Sequence, residues 1–331
     1  MPYDAVAPDD PARIGQAAEL LNLAGAADDP DQEQTVPGLL SGLLRYGWDL
    51  EPDEMYLFRP DGAASPVGVL ELNFPTRDNR HLAWVALTVH PEHRRRGFGS
   101  AMLNEAITRT RAAGRSTVWV GAAEQDASAS ALLEGFGFRT GTQDARRHQP
   151  LADVDAVSIE ALDAEARAAA TDYVCERGTA PTSDELLAEL VEVTAAINDA
   201  PMGTLTYEDE RFDLQRLRDF ETAALGRQDR VYRVWARHRA TGVVAGHSVV
   251  MTNALRPHFA VQADTAVSRE HRGHRLGLLL KVAMMRWLAE VEPQLRLVET
   301  WNNVENRHMI SVNELLGYRL SRVFATYELA V

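Results

Sequence analysis

The sequence predicts an α/β protein in which one domain occurs twice in tandem. Three observations carry this. Strand-like and helix-like patterns follow in the same order in each half of the chain. Glu92-His93-Arg94 recurs as Glu270-His271-Arg272, an offset of 178 residues. Gly137-Phe138 recurs as Gly317-Tyr318, an offset of 180. Repeats this long are duplicated domains rather than solenoid units. With 331 residues and 45% apolar content, the chain can fill two cores.

The elements follow from local signals. Residues 11–24 read as a helix, with Asp10 as N-cap and Pro11 in the first helical position. Residues 38–46 form a second helix. Residues 55–58 and 67–72 are strands around the turn Pro60-Asp61-Gly62. A strand over 81–89 ends before Pro91, and a helix over 97–113 closes at Gly114. A strand over 117–120 and a short helix over 127–136 follow. The second half repeats the series. Helices span 183–197 and 214–225, strands 231–236, 243–250 and 259–267, a long helix 276–290, a strand 295–301 and a helix 309–316. The alanine-rich stretch 157–170 reads as helical. The expected domains are therefore 1–152 and 171–331, with a helical linker over 153–170.

Composition excludes several functions. The formal net charge of -14 argues against a nucleic-acid binder, which needs a broad basic face, and suits a neutral or cationic partner. Cys175 is the only cysteine, so no internal disulfide or cysteine-based metal site is expected, and a reducing, cytoplasmic setting fits. No metal is called for. The first residues, MPYDAVAPDDPARIG, lack the features of a signal peptide, and no run has the ~18 apolar residues of a membrane span.

Against that acidic background, VHPEHRRRGFGSAML (89–103) concentrates positive charge and glycine between a strand and a helix. Such a junction is an anion site. The first N–H groups of the helix lack partners, the helix dipole adds positive charge, and glycine admits close approach. The dinucleotide fingerprint fails for want of a third glycine, and the P-loop pattern fails for want of its Gly-Lys pair.

Arg94-Arg95-Arg96-Gly97-Phe98-Gly99, after a strand ending in Val89, resembles the acetyl-CoA pyrophosphate loop of the GNAT superfamily of N-acetyltransferases. The element order of both halves is similar to that fold. The resemblance implies two tandem acyl-CoA N-acyltransferase-like domains, each a mixed, mostly antiparallel sheet flanked by helices. It implies acetyl-CoA as cosubstrate. Backbone groups near Val89 and Val267 would pair with the pantetheine arm. Arg94, Arg95, Arg96, Gly97, Gly99 and Ser100 would surround the pyrophosphate. In the second copy the corresponding positions are Arg272, Gly273, His274, Arg275, Gly277 and Leu278. Arg275 stands where the motif has its first glycine, and a glycine appears at 273 instead. His93 and His271 recur at equivalent places and read as loop supports.

A second family landmark places an asparagine that steadies the pantetheine arm seven residues before a tyrosine that often protonates the leaving thiolate. Counting back from Gly317 gives Asn306 and Asn313; counting back from Gly137 gives Asp126 and Leu133. The second copy is therefore the expected seat of chemistry, with Asn313 as a hydrogen-bond donor to sulfur. Asp264 is a candidate base, although strand alternation turns it away from the cleft unless a bulge re-aims it. His247 and Glu299 are further options, and Asp199, Glu208, Asp209 and Glu210 an expected acidic rim for a cationic amine. Trp235 and Trp301 read as core aromatics, with Trp301, just before Asn302-Asn303, also placed to wall an acceptor pocket.

The expected activity is direct acetyl transfer to a small amine by a monomer or homodimer, without nucleic-acid or membrane partners. A non-catalytic CoA-binding sensor or scaffold is one alternative. Acetylation of a cysteinyl sugar, in the manner of the mycothiol synthases whose tandem organisation is similar, is another.

Overall fold

The computed structural model describes residues 2–331. In chain order its elements are β1 (Tyr3–Ala5), α1 (Pro11–Asp28), α2 (Pro37–Tyr46), β2 (Glu54–Phe58), β3 (Gly68–Asn73), β4 (Leu82–Val89), α3 (Phe98–Ala112), β5 (Thr117–Ala123) and α4 (Ala127–Gly135). Then come β6 (Arg139–Pro150), α5 (Ala156–Ala169), β7 (Tyr173–Thr179), α6 (Asp184–Ala195), α7 (Leu214–Gly226), β8 (Asp229–His238) and β9 (Val244–Asn253). The chain finishes through β10 (Arg256–Val267), α8 (Leu276–Val291), β11 (Leu297–Asn303), α9 (Arg307–Leu315) and β12 (Arg319–Ala330). Short polar side chains start most of the helices. Asp10 accepts from the Arg13 N–H, Asp155 from Val157 and Ser158, Ser183 from Leu186, and Asp213 from Arg216.

The chain forms two units. Unit 1 comprises 2–143, 203–208 and 324–331; unit 2 comprises 144–202 and 209–323. In unit 1 the strand order is β1-β2-β3-β4-β5-β12, and only β4 and β5 run parallel. In unit 2 it is β7-β8-β9-β10-β11-β6, and only β10 and β11 run parallel. Both sheets are thus mixed and mostly antiparallel. The last strand of each sequence copy is built into the other copy's sheet: Phe324–Ala330 pairs with β5, and Asp144–Pro150 pairs with β11.

Each sheet has an apolar layer on both faces. In unit 1, Met102 and Leu103 of α3 pack with Leu70, Leu72, Val85 and Val118 of the sheet. On the other face, α1 and α2 bring Ile14, Ala17, Leu40 and Leu44 onto Met55, Leu57 and Val69. In unit 2, α5 and α8 cover one face through Ile159, Leu279, Leu280, Met284 and Trp287. Helices α6 and α7 cover the other with Leu187, Leu190, Val193 and Leu217. One packing device recurs. A Cβ on Gly68 would lie 2.6 Å from the Met102 sulfur, and one on Gly246 would lie 3.1 Å from Leu280 Cδ1. At both positions glycine lets the helix after the loop sit close on the sheet without a neighbouring side chain having to give way.

Lys281 departs from this apolar pattern. It is buried on α8, with its Nζ 5.1 Å from the Tyr318 ring centroid. No carboxylate pairs with it among the described residues, and burial pushes its amine down to about 7. The unfolded amine keeps its proton up to about pH 10. Stability therefore falls as pH drops from 10 toward 7 and levels off below. Lys281→Met is expected to raise stability at pH 7 by on the order of 2 kcal/mol, with the gain shrinking toward pH 10. Urea denaturation at both pH values checks this.

Candidate functional site

The site in each unit begins where its two parallel strands part. Pairing of β4 with β5 runs from Leu82↔Thr117 to Val85↔Val120 and stops. Beyond it, 86–89 stays on β3, from Glu71↔Ala86 to Gly68↔Val89, while 121–123 stays on β12. In unit 2, β10 and β11 pair from Phe259↔Leu297 to Gln262↔Thr300. Ala266 and Val267 then stay on β9, and 301–303 on β6. Each unit therefore has a wedge whose two edges offer unclaimed backbone groups. An extended ligand carrying amides can fill such a gap as an added strand.

The loop at the mouth of each wedge has the same backbone built from different residues. In unit 1, Arg95 (φ 61°) and Gly97 (φ 82°) are left-handed; in unit 2, Gly273 (φ 87°) and Arg275 (φ 54°) are. Glycine and arginine have changed places within one conformation. Gly97 and Arg275 are the N-caps of α3 and α8, and neither helix receives a side-chain cap. The N–H groups of Phe98, Gly99 and Ser100, and of Leu276, Gly277 and Leu278, thus point out of the helix ends with no intrahelical acceptor. A Cβ on Gly97, Gly273 or Gly277 would meet nothing within 4 Å. This open, positively polarised cradle fits a pyrophosphate. Leu278 contributes only its backbone, because its side chain is buried in the core.

Arg94 and Arg272 do a different job from the one expected of phosphate ligands. Arg94 Nε donates to the Val89 carbonyl at 3.2 Å, and its Nη atoms reach both Asp28 oxygens at 2.6 and 2.7 Å. Arg272 Nε donates to the Val267 carbonyl at 3.2 Å and its Nη2 to Asp199, which also takes Arg269. Each arginine clamps the loop onto the end of its strand. Arg95, Arg96, His274 and Arg275 are exposed on the cradle rim, where Arg275 pairs with Glu165 at 2.8 Å. His271 is a loop support, its Nδ1 2.9 Å from the Tyr173 hydroxyl.

The landmarks on the last helix of each copy are structural in placement. Asn306 caps α9 through Met309, as Asp126 caps α4 through Ser128 and Ala129. Asn313 is fully buried and donates to Asn302 Oδ1 at 2.6 Å. It holds the end of β11 beside the wedge. Leu133, its counterpart, is buried in the unit 1 core.

Unit 2 carries a feature that unit 1 lacks. Between Gln262↔Val250 and Thr265↔Ser248, β10 has one residue more than β9, whereas the β3–β4 register is unbroken. This is a bulge at Ala263-Asp264. The buried Gln262 amide nitrogen holds it, lying 2.8 Å from the Val249 carbonyl, 3.1 Å from the Asp264 carbonyl and 3.1 Å from Ser248 Oγ. The bulge turns Asp264 toward the α6/α7 face, where its charge couples to Arg233 and Glu210. Burial pushes the Asp264 carboxyl up, Glu210 adds to the effect, and Arg233 opposes it. The carboxylate accepts no hydrogen bond among the described residues.

The other candidate bases are engaged. His247 Nδ1 lies 3.0 Å from Arg233 Nη1. Arginine only donates, so the ring is neutral with its proton on Nε2. Burial, then the charge of Arg233, holds it well below 6.5. Burial pushes Glu299 up, yet hydrogen bonds from His148 at 3.0 Å and Trp301 at 2.9 Å, with the charge of Arg146, hold it below its usual range. Of the expected acidic rim, only Asp209 is exposed without a side-chain partner among the described residues. Asp199 serves the Arg272 clamp, Glu208 meets Asn79 in unit 1, and Glu210 pairs with Arg216 at 3.1 Å. Trp235 is core, but Trp301 is 43% exposed, which overturns its reading as a core aromatic.

Residues 19–138 match the profile of the acetyltransferase (GNAT) family. A tandem GNAT protein from the clavulanic acid biosynthesis pathway superposes with a TM-score of 0.81 at 28% identity, over 99% of this chain and 98% of its own. Residues 19–138 form a GNAT domain, and the chain as a whole has a tandem GNAT fold. A GCN5-related N-acetyltransferase from Sphaerobacter thermophilus shares the fold, with a TM-score of 0.69 at 17% identity over 99% of this chain and 95% of that one. So does a glucosamine N-acetyltransferase region of a fungal multi-domain GH3 β-N-acetylglucosaminidase, with a TM-score of 0.67 at 15% identity over 99% of this chain and 38% of that one. No curated protein matches the sequence.

Three features of the structure escaped the sequence reading. Glu71 on β3 lies beside the unit 1 wedge, on the face that Val69 shares with α1 and α2. Burial, then the charge of Asp53, pushes it up to about 7. Trp84, 41% exposed, meets Trp119 edge-on at 4.8 Å, and Trp119 stacks on Tyr207. Gln262 is the other omission, and only its position next to a bulge gives it meaning. Gln262→Ala leaves the Val249 and Asp264 carbonyls without this donor. It is expected to cost about 1–3 kcal/mol and to lower turnover with it. Chemical denaturation together with steady-state rates checks both.

Proposed function

We propose that this GNAT protein transfers an acetyl group directly from acetyl-CoA to a small, cationic amine, with the chemistry in unit 2. The observation that carries the reading is the bulge. It sets a carboxylate with no hydrogen-bond partner at the parting of the strand pair, on the strand that leads into an uncapped helix N-terminus. The wedge between β10 and β11 takes the pantetheine arm, and the α8 cradle takes the pyrophosphate. Bound acetyl-CoA supplies an activated thioester carbonyl. Backbone N–H groups over Thr265–Val267 polarise that carbonyl where negative charge grows. Asp264 removes the proton from the ammonium so that its nitrogen can attack; the tetrahedral adduct then collapses with cleavage of the C–S bond, and the departing CoA thiolate takes up a proton from solvent. Asn313, through Asn302, positions the β11 edge of the wedge. Unit 1 has a matching cradle and wedge and serves as a second CoA-holding site.

Direct transfer suits the one cysteine. Cys175 lies on β7, three strands from β10 in the sheet order, and burial pushes its thiol up to about 11. Such a thiol is a weak nucleophile at neutral pH.

Calorimetric titration of acetyl-CoA into the wild type, Gly99→Trp and Gly277→Trp tests the cradles, with circular dichroism confirming that the variants fold. Each indole is expected to remove one binding site. Loss of all binding with Gly99→Trp and none with Gly277→Trp would move the chemistry to unit 1.

Asp264→Asn tests the base. It is expected to lower kcat by about 10²–10⁴-fold while the Kd for acetyl-CoA stays the same. Because the Asp264 carboxyl is raised, the wild-type rate should fall on the acid side above the ordinary carboxylate range. That limb should vanish in the variant. An unchanged kcat would remove Asp264 from the mechanism.

A further inference from the structure

A cavity of about 420 Å³ opens in unit 2 between α5, α8 and β7, on the edge of the sheet remote from the wedge. Its floor is apolar, with Ala170, Val234, Leu279 and Ala283. Leu279, Ala283, Arg286 and Glu290 follow one another at helical spacing, so a single face of α8 forms one wall. The rim has the opposite sign to the rest of the molecule. Arg167, Arg177, Arg239 and Arg286 line it against Glu176 and Glu290, in a chain of formal net charge -14.

The arginines are unequally neutralised. Arg167 and Arg286 share Asp163, each at 2.9 Å. Arg177 pairs with Glu290 at 3.2 Å. Glu176 is turned to Trp235 and Arg237. Arg239 has only the Thr171 carbonyl at 3.1 Å and forms no ion pair among the described residues. One guanidinium at the rim of an apolar cavity is therefore left without a counter-charge. Cavities of roughly this size, ~300–1,000 Å³, hold small molecules by an apolar lining and a few polar groups.

We propose that this cavity is a binding site for a small amphipathic anion, an aliphatic monocarboxylate whose head pairs with Arg239 and whose tail lies on Val234, Leu279 and Ala283. A guanidinium takes a carboxylate through two parallel N–H donors. The apolar floor rejects a fully polar anion such as free phosphate. The rim rejects a cation of the same length.

Cys175 lines the cavity and is the only cysteine in the sequence, so it reports on this place alone. The rate at which methyl methanethiosulfonate labels it, followed by intact mass at about pH 9 to offset the raised thiol, is measured with octanoate, octanol or octyltrimethylammonium present. Octanoate is expected to slow labelling saturably, by about fivefold or more, with octanol weaker and the cation ineffective. Arg239→Gln should lose most of the protection and Arg239→Lys keep part of it. Ala283→Trp, which fills the floor, should slow labelling by itself and abolish the octanoate dependence. Thermal unfolding with octanoate gives a second reading, a rise in Tm that Arg239→Gln removes. Equal protection by all three probes, protection by none, or full protection in Arg239→Gln would overturn the proposal. Neither acetyl-CoA nor an amine enters the assay, so its failure leaves the reading of the wedges untouched.

Discussion

Each unit turns on a competition between strand partners. The two central parallel strands share only four residue pairs, while each is held along its length by an antiparallel neighbour on its outer side. The outer ladders win, and the strands diverge. Backbone amides that would complete a sheet are left facing a gap. Every further feature of the site depends on that gap. The loop at its mouth presents a helix terminus, the clamp arginines fix that loop to the strand end, and in unit 2 a bulge turns a side chain across it.

The two loops show how backbone conformation can persist while residues change. The left-handed positions are 95 and 97 in one copy and 273 and 275 in the other. Each loop has one glycine and one arginine in them, in opposite order. A non-glycine residue in that region costs roughly 1–2 kcal/mol, so each loop carries the strain once. Reading Arg275 as a departure from the motif is correct for the residue and misleading for the shape.

Much of the fold was legible because it is written locally. The cap at Asp10, the turns, and the repeat at 178 residues place the helices and eight of the strands, while β1, β6, β7 and β12 go unread. The cradle was legible for the same reason, since strand, glycine and helix are adjacent in sequence. What was hidden depends on distant partners. Arg94 and Arg272 look like phosphate ligands until Asp28 and Asp199 come to meet them. The bulge cannot be counted from β10 alone, because it exists only in register with β9 and is secured by Gln262. The placement of β6 and β12 is of this kind too. A strand of alternating residues fits either sheet edge, and nothing in its own pattern names its partner.

That placement changes what it means for the molecule to be made in order. The unit 1 sheet pairs β5 with 324–330, so its outermost ladder waits for a strand synthesised about two hundred positions later. Until then β5 presents a long open edge of the kind that recruits stray strands. The nascent N-terminal half is therefore a holding state. The duplicated sequence does not behave as two beads that fold in turn; it closes as one loop, with the last strand sealing the first sheet.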